Sequence, residues 1–240
     1  MLTFQPEAQS VDFSGSSNRP AFQPVEARPR CSLADCLPVT TVRTLRAQQH
    51  LFREGDEKSN VYQILDGTFV LYRLLPNGRR QVTGFAVSGD IVGLGTGKHH
   101  LFSAESSSQA QVRALPTIVL HRLAAEDSKL GLMLYDAMSR ELLTAQDHLA
   151  MVSMLYAVER VAMFLVGLSN RRLDATHLTG YIEFPMTRYD IADFLSLTTE
   201  TVSRSLTKLV NSKVIARQPR GIRVLDRVSL LDMAKGEFTS

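Results

Sequence analysis

The stretch from 187 to 210 constrains this chain most, because it predicts two short helices separated by a tight break. Thr187 is placed to cap a first helix whose apolar face includes Ile191 and Leu195. The tripeptide Ser-Leu-Thr at 196–198 interrupts the apolar periodicity, and Thr198 is placed to cap a second helix. Two short helices joined in this way form a helix-turn-helix, in which N-terminal residues of the second helix contact base edges.

The second helix is predicted to have one apolar face and one polar face. Val202, Leu206 and Leu209 are spaced to point inward, so the opposite face is polar. The residues predicted to contact DNA bases are Thr199, Glu200, Ser203 and Arg204. Arginine matches O6 and N7 of guanine, glutamate accepts from the N4 amino group of cytosine, and Ser or Thr contacts thymine. Alternatively, Glu200 and Arg204, at i and i+4, form only a solvated ion pair.

Basic charge is concentrated around this motif. The net charge is +3, and from residue 170 onward the chain has 11 Lys+Arg and 8 Asp+Glu, which leaves 16 of each before it. Such an excess is typical of a nucleic-acid-binding module, although an ordinary basic surface has the same sign. The residues predicted to contact phosphates are Thr187, Arg188, Thr198, Thr201, Lys208 and Arg220, together with Arg217 and Arg223 of a neighbouring hairpin.

The remaining chain divides into three further segments. Residues 1–30 lack periodicity and are predicted to be a flexible arm. Residues 31–125 contain short β-type runs separated by glycines, which predicts an antiparallel barrel or sandwich with a tight turn at Asn77-Gly78, where both residues tolerate positive φ. Residues 159–240 are predicted to hold the helix-turn-helix and a hairpin that turns at Pro219-Arg220-Gly221.

Residues 126–158 are predicted to form a long helix, and helical periodicity continues to about 170. Apolar residues follow one another along it at alternating steps of three and four: Tyr135, Met138, Leu142, Ala145, Leu149, Val152 and Tyr156. This stripe is too long for a small barrel to cover, so we predict that it pairs with a second copy in a homodimer. Packing of the stripe on the chain's own barrel is the alternative.

The stretch MTRYDIADFLSLTTETVSRSLTKLV resembles the signature of the CRP/FNR superfamily of bacterial transcription regulators. The resemblance extends over about 40 to 230, and LYRLLPNGRRQVTGFAVSGDIVGL together with E-T-V-S-R is most similar to the FNR/FixK branch. It implies an α+β fold with a jelly-roll-like antiparallel β-roll, a dimerisation helix and a winged helix-turn-helix. It also implies a homodimer that binds double-stranded DNA at a palindrome resembling TTGAT-N4-ATCAA, contacts RNA polymerase, and activates genes for low-oxygen respiration or nitrogen fixation.

Two effectors known in this superfamily, cyclic AMP and an iron–sulfur cluster, need residues that the chain does not supply. Members that bind cyclic AMP resemble one another in an arginine that grips the cyclic phosphate, but no arginine lies between Arg80 and Arg113, and Lys98 would supply only a point charge. Cys31 and Cys36 are too few for a four-cysteine iron–sulfur cluster. We therefore predict no cofactor; haem ligation by one histidine and redox chemistry of the two cysteines stay open as alternatives.

Three histidines raise the alternative of a metal-dependent β-barrel enzyme: His99, His100 and His121. Adjacent strand residues point to opposite faces, so His99 and His100 would not share one ion, and we predict that the chain is not an enzyme. The sequence shows neither a membrane-spanning run nor a signal sequence, which predicts a soluble cytoplasmic protein.

Overall fold

The computed structural model describes residues 41–95, 97–171 and 180–236. Its strands are β1 (Thr41–Leu45), β2 (His50–Phe52), β3 (Asn60–Asp66), β4 (Thr68–Leu74), β5 (Arg80–Val87), β6 (Ile91–Val92), β7 (Ser103–Ser106), β8 (Ala110–Pro116), β9 (Tyr181–Glu183), β10 (Ile215–Gln218) and β11 (Gly221–Val224). Its helices are α1 (Thr117–Glu126), α2 (Ser128–Met154), α3 (Ala157–Arg171), α4 (Arg188–Phe194), α5 (Thr199–Asn211) and α6 (Arg227–Lys235). The predicted arm and both cysteines lie outside the described residues.

The first eight strands form two antiparallel sheets that share one apolar interior. The strand orders are β1-β8-β3-β6 and β2-β7-β4-β5. Ile64 and Val112 from the first sheet pack in the same cluster as Phe52 and Phe69 from the second. Burial of these large side chains between the sheets supplies the main driving force for this part of the fold. The predicted antiparallel β domain is confirmed.

The β4–β5 hairpin turns at the predicted place, but with a different backbone geometry. Its loop is closed by Leu75, whose N–H donates to Arg79 O at 2.8 Å and whose carbonyl accepts from Gly78 N–H at 2.8 Å. Gly78 has a φ of 76°, whereas Asn77 does not have positive φ. The Asn77 side-chain oxygen instead accepts from Arg79 N–H at 3.0 Å, which stabilises the turn without a left-handed asparagine.

The helical region begins earlier than predicted and is interrupted once before the long helix. α1 begins at Thr117, directly after Pro116, whose φ is −57°. Asp127 has an extended backbone with φ −113°, and its side chain accepts from Lys129 N–H at 2.9 Å. Asp127 therefore ends α1 and caps α2, because its carboxylate satisfies a free amide of the next helix.

The long helix α2 ends at Met154, four residues before the predicted boundary of 158. Leu155 is buried and extended, with φ −97° and ψ 147°, so the helix does not continue through it. Tyr156 lies outside α2, and its N–H donates to the Glu159 carboxylate at 2.8 Å, which starts α3. The predicted continuous helical seam therefore does not include Tyr156.

Most of the predicted dimer stripe is exposed in the single chain. Leu142 is 60% exposed and Leu149 is 65% exposed, although both are large apolar residues. Tyr135, Met138, Ala145 and Tyr156 are also exposed. Val152 differs, because it is half-buried and packs against the chain's own core. Exposed apolar side chains in a row are typical of an association surface, and the dimer interface stays a prediction.

The C-terminal part shares one continuous core with the β-roll. This cluster includes Val70 and Phe85 from β4 and β5, Leu165 from α3, and Val202 and Leu209 from α5. A third, three-stranded sheet of order β10-β11-β9 supplies the wing beside α4 and α5. Within the described ranges, none of the helices has both the length and the apolar character needed to span a membrane.

Helix α6 was not predicted from the sequence, although the signals for both of its ends are present. The Asp226 carboxylate accepts from Ser229 N–H at 3.0 Å, and Gly236 ends the helix with φ 73°. An aspartate cap followed by a C-terminal glycine is a regular helix signature. The helix packs on α3 and buries Leu230 and Met233.

Candidate nucleic-acid interface

The predicted helix-turn-helix is confirmed, together with the N-terminal caps of both helices. Thr187 Oγ1 accepts from Asp190 N–H at 3.1 Å, and the Asp190 carboxylate accepts from Thr187 N–H at 3.0 Å, which forms a capping box. Ser196, with φ 53°, lies in the break between the helices. Thr198 Oγ1 then accepts from Thr201 N–H at 3.1 Å and caps α5. Local hydrogen bonding therefore sets both helix starts.

Helix α5 has the predicted amphipathic orientation. Val202 and Leu209 are 0% exposed, which fixes the helix on the core. The exposed polar residues include all four predicted base contacts and two further side chains: Thr199, Glu200, Ser203, Arg204, Thr207 and Lys208. A shallow depression along this face is lined by Glu200, Ser203, Arg204, Thr207, Lys208, Asn211 and Ser212. Asn211 and Ser212 extend the candidate surface beyond the residues that the sequence analysis selected.

Several side chains on this face are already engaged within the helix. The Ser203 hydroxyl donates to Thr199 O at 2.8 Å, and the Thr207 hydroxyl donates to Ser203 O at 2.9 Å. Glu200 and Arg204 form the i,i+4 ion pair of the alternative interpretation. The pair is exposed to solvent, so its opening costs little, and contact of Arg204 with a base stays a prediction.

The predicted phosphate-contacting residues occupy different environments. The Arg188 guanidinium lies 5.4 Å from the Phe184 ring centroid. Its pKa is lowered mainly because the group is partly desolvated, and to a smaller extent because the positive charge of Arg217 lies nearby. Arg217 reaches from β10 to α5, where it donates to Thr207 Oγ1 at 2.7 Å. Arg220 is exposed in the turn between β10 and β11. Thr201 is half-buried, and its hydroxyl is hydrogen-bonded to that of Thr198 at 2.8 Å, whereas Thr187, Thr198 and Lys208 are exposed.

The approach of β9 to β11 requires a glycine at the start of β11. A Cβ at Gly221 would lie 2.0 Å from Ile182 O and 2.9 Å from the Glu183 Cα, because β9 passes directly against β11. The hairpin turns at the predicted place, but the turn consists of Pro219 and Arg220, because Gly221 pairs with Gln218 as the first residue of β11. This packing places Arg220 at the tip of the wing.

The histidines of the β-roll do not converge on one site. His100 is buried and stacks on Phe52 with centroids 3.7 Å apart, and burial together with the Lys58 charge lowers its pKa, partly opposed by Asp56. His99 is exposed, with Nδ1 3.1 Å from Gly55 O. In the part of the chain that the structure describes, no three His, Cys, Asp or Glu side chains form a group suited to a metal ion.

Taken together, the capped α4–α5 pair and the β9–β11 wing define a winged-helix DNA-binding domain, joined through a long helix to a β-roll. Residues 42–127 match the family model of a cyclic nucleotide-binding domain, and residues 159–233 match that of a Crp-like helix-turn-helix domain. The transcriptional activatory protein AadR of Rhodopseudomonas palustris is 41% identical over 75% of both chains. The nitrogen fixation regulation protein FixK of Bradyrhizobium diazoefficiens is 36% identical over 82% of this chain and 85% of that protein.

A solved structure agrees with these sequence relatives. The structure of FixK2 from Bradyrhizobium japonicum superposes with a TM-score of 0.76 at 33% identity, and the match covers 81% of this chain and 97% of FixK2. This chain belongs to the CRP/FNR family of transcription regulators. The predicted fold class and family are confirmed, and the chain is a regulator rather than an enzyme.

The match of residues 42–127 to a cyclic nucleotide-binding domain poses the question whether the β-roll binds a cyclic nucleotide. The residues of the roll do not fit a cyclic phosphate. No arginine lies between Arg80 and Arg113. The Lys58 ammonium donates to Gly95 O at 2.7 Å and to Leu94 O at 3.4 Å, in the segment that follows β6, and burial lowers its pKa. Its donors are therefore directed at the backbone, and the bidentate geometry that favours phosphate recognition is missing.

Proposed function

We propose that this chain binds as a homodimer to a palindrome resembling TTGAT-N4-ATCAA and activates transcription there through contact with RNA polymerase. The observation that supports this proposal most directly is the exposed polar face of α5. It begins at a capped helix N-terminus and places Glu200, Ser203 and Arg204 on one open surface. A recognition helix contacts base edges through residues of this kind and position.

Basic residues around the recognition face support DNA binding independently of sequence. Arg188 and Arg217 lie close enough for their charges to interact, and Arg220 extends from the wing. Lys208 is exposed one turn beyond Arg204. Contacts of such side chains with phosphates position a protein on the duplex and make its affinity salt-dependent.

The exposed stripe on α2 supports the homodimer. Paired α2 helices would relate two recognition helices by a two-fold axis, as a palindrome with half-sites one helical turn apart requires. Activation, and control of low-oxygen or nitrogen-fixation genes, is supported by the names of the related activatory protein AadR and of the nitrogen fixation regulator FixK. The cytoplasmic location of such a regulator stays a prediction.

DNA binding by this chain is proposed to need no cyclic nucleotide and no iron–sulfur cluster. The missing arginine and the engaged Lys58 support the first part, and the presence of two cysteines in the whole sequence supports the second. We expect aerobically purified protein to bind the palindrome with an affinity that cyclic AMP does not change. Strict dependence on cyclic AMP, or on a cluster rebuilt without oxygen, would contradict this, and a haem absorption band in the visible spectrum would favour the haem alternative.

Base contact and phosphate contact on α5 are separated by two substitutions. Arg204→Lys keeps the charge but removes the guanidinium fork, so it should cost about 1 to 3 kcal/mol per half-site and reduce discrimination for guanine in TTGAT. Lys208→Ala should weaken binding to all sequences nearly alike and reduce the salt dependence by about one phosphate contact per subunit. Affinities for TTGAT and TTAAT palindromes over a salt series measure both effects.

The two outcomes identify the role of each side chain. Full preference for guanine in the Arg204→Lys variant would show that Arg204 does not contact this base, and the Glu200–Arg204 ion pair would then be its main role. Arg122→Ala provides a control, because this arginine is exposed on α1, away from the recognition helix. It should change neither sequence preference nor salt dependence.

A further inference from the structure

The DNA-binding domain is held against an edge of the β-roll. β5 is the last strand of the sheet β2-β7-β4-β5, and α4 packs against it. The β4–β5 register shifts from Leu71 opposite Gly84 to Tyr72 opposite Val82, which makes Thr83 the extra residue of a bulge. An edge strand has backbone groups that its own sheet does not satisfy, and a bulge redirects them.

One aspartate of α4, Asp193, accepts hydrogen bonds from donors on this edge strand. The Asp193 carboxylate accepts from Val82 N–H at 2.6 Å, and the Asp193 carbonyl accepts from the Gln81 side-chain amide at 3.0 Å. Next to these bonds, Arg80 lies 3.3 Å from the Asp190 carboxylate, which is buried. Three consecutive residues of β5 therefore contact α4, more than 100 positions further along the chain: Arg80 and Val82 contact two carboxylates, and Gln81 contacts a backbone carbonyl.

Arg80 is itself held in place by the roll. Its guanidinium lies 4.2 Å from the Tyr72 ring centroid and 3.8 Å from the Glu105 carboxylate. Tyr72 OH is in turn 2.7 Å from His50 Nε2. These contacts hold the guanidinium beside Asp190.

An aromatic cluster fixes the other side of α4. Phe194 contacts Phe85 of β5 edge-on with centroids 5.2 Å apart, and it stacks on His148 of α2 at 4.2 Å. Phe164 of α3 lies 5.9 Å from both Phe85 and Phe194. Helix α4 is thus packed simultaneously on the roll, the long helix and α3.

These contacts leave the recognition face of α5 open. Ser203, Arg204 and Lys208 are exposed while Asp193 is bound to β5. The connection between α2 and α3 is extended at Leu155, so the backbone there does not continue one rigid helix across the joint. Side-chain contacts such as those of Asp193 therefore restrict the domain orientation that the backbone leaves less constrained.

We propose that Asp193 is a positioning residue for DNA binding, which holds the winged-helix domain on Arg80–Val82 of β5 and thereby selects the spacing between half-sites. This inference rests on the proposed binding to a palindrome. Two recognition helices bind such a site together only when their separation matches it, and the apparent affinity falls with the fraction of dimers in the matching orientation. The β5 contact increases that fraction before DNA is bound.

The test compares half-site duplexes with palindromes whose spacers contain two, four or six base pairs. A change of two base pairs rotates one half-site by about 70° relative to the other. Full-length Asp193→Ala is compared with Asp232→Ala, a matched loss of one carboxylate on α6, which packs on α3. The matched control is needed because removal of any negative charge from this domain increases its non-specific affinity for DNA.

We expect both variants to bind a single TTGAT half-site with affinities within about twofold of each other, because the recognition face is intact. Asp193→Ala should bind the four-base-pair palindrome about tenfold more weakly than Asp232→Ala, and its preference for that spacer should fall, since loss of a hydrogen bond to a charged acceptor releases the orientation. Asp193→Asn retains an acceptor oxygen and should restore most of the spacer preference.

The outcomes separate the inference from the function on which it rests. An unchanged spacer preference in Asp193→Ala would overturn the positioning role even if half-site binding is confirmed. Failure of the wild-type protein to prefer a TTGAT half-site over a scrambled duplex would instead refute the proposed function, and this inference with it. Gln81→Ala keeps the carboxylate and provides a milder second variant, in which a partial loss of spacer preference is expected if Asp193→Ala does not fold.

Discussion

Arg160 offers a sharp test of how the long helix is joined to the DNA-binding domain. From α3 its guanidinium donates to Leu155 O at 2.9 Å, Val152 O at 2.7 Å and Leu195 O at 3.1 Å. Val152 lies in the last turn of α2, whereas Leu155 and Leu195 are the residues that directly follow α2 and α4. Carbonyls at helix ends have no intrahelical partner, and a cation beside them is favourable.

The size of the effect follows from these three bonds. A net contribution of about 1 kcal/mol for each bond gives a loss of about 3 kcal/mol in the free energy of unfolding for Arg160→Ala. For a chain of this length, that corresponds to a decrease in Tm of roughly 6 to 12 °C. Arg160→Lys should recover only part of the loss, because one ammonium does not reproduce the planar fork that spans three acceptors.

Thermal unfolding followed by circular dichroism, together with urea titration, measures both variants against the wild-type protein. Arg122→Ala, on the exposed side of α1, is the control and should change the free energy of unfolding by less than about 0.5 kcal/mol. An Arg160→Ala protein as stable as this control would refute the reasoning. It would mean that water replaces the guanidinium at all three carbonyls without cost.

Two further predictions concern the α2 stripe and a buried histidine. Glutamate at both Leu142 and Leu149 should give monomers on sedimentation and a steep loss of palindrome affinity, because each charge would face its symmetry mate. Leu74→Glu is the control and should leave the dimer intact, because Leu74 is exposed at the end of β4. Dimers in the double variant would favour packing of the stripe on the chain's own barrel. Burial lowers the pKa of His100 below its ordinary value of 6.5, so the unfolded state binds the proton more readily, and stability should fall as pH decreases below about 6.5. His100→Phe should weaken this pH dependence in urea titrations at pH 7.5 and 5.5, and an unchanged slope would contradict it.

The helix-turn-helix was predictable because its signals are local. Thr187 and Thr198 satisfy amides three residues away, and the alternation of apolar and polar residues on α5 is decided by one helix face. The same locality explains the correct position of the Gly78 turn. Signals that act over three or four residues can be recognised in the sequence without knowledge of the tertiary contacts.

The ends of the long helix were less predictable, because periodicity alone does not show where a helix stops. The residues on both sides of Leu155 keep helical spacing, and its extended backbone is stabilised by burial and by Arg160, which lies on the next helix. Val152 continues the stripe in sequence but packs on the chain's own core. Tertiary packing therefore decides which members of a regular pattern remain available for association.

A count of charges along the sequence does not show which charged groups lie together in the structure. Counted along the chain, Asp190 and Asp193 reduce the basic excess beside the recognition helix and would weaken attraction to phosphates. In the structure both carboxylates are bound by the β-roll, Asp190 by Arg80 and Asp193 by Val82 N–H, and Asp190 is buried. Arg80, which belongs to the β-roll, therefore offsets the charge of Asp190, and the count of 11 against 8 from residue 170 onward does not include this partner. The carboxylates of Asp190 and Asp193 thus connect the DNA-binding domain to the roll.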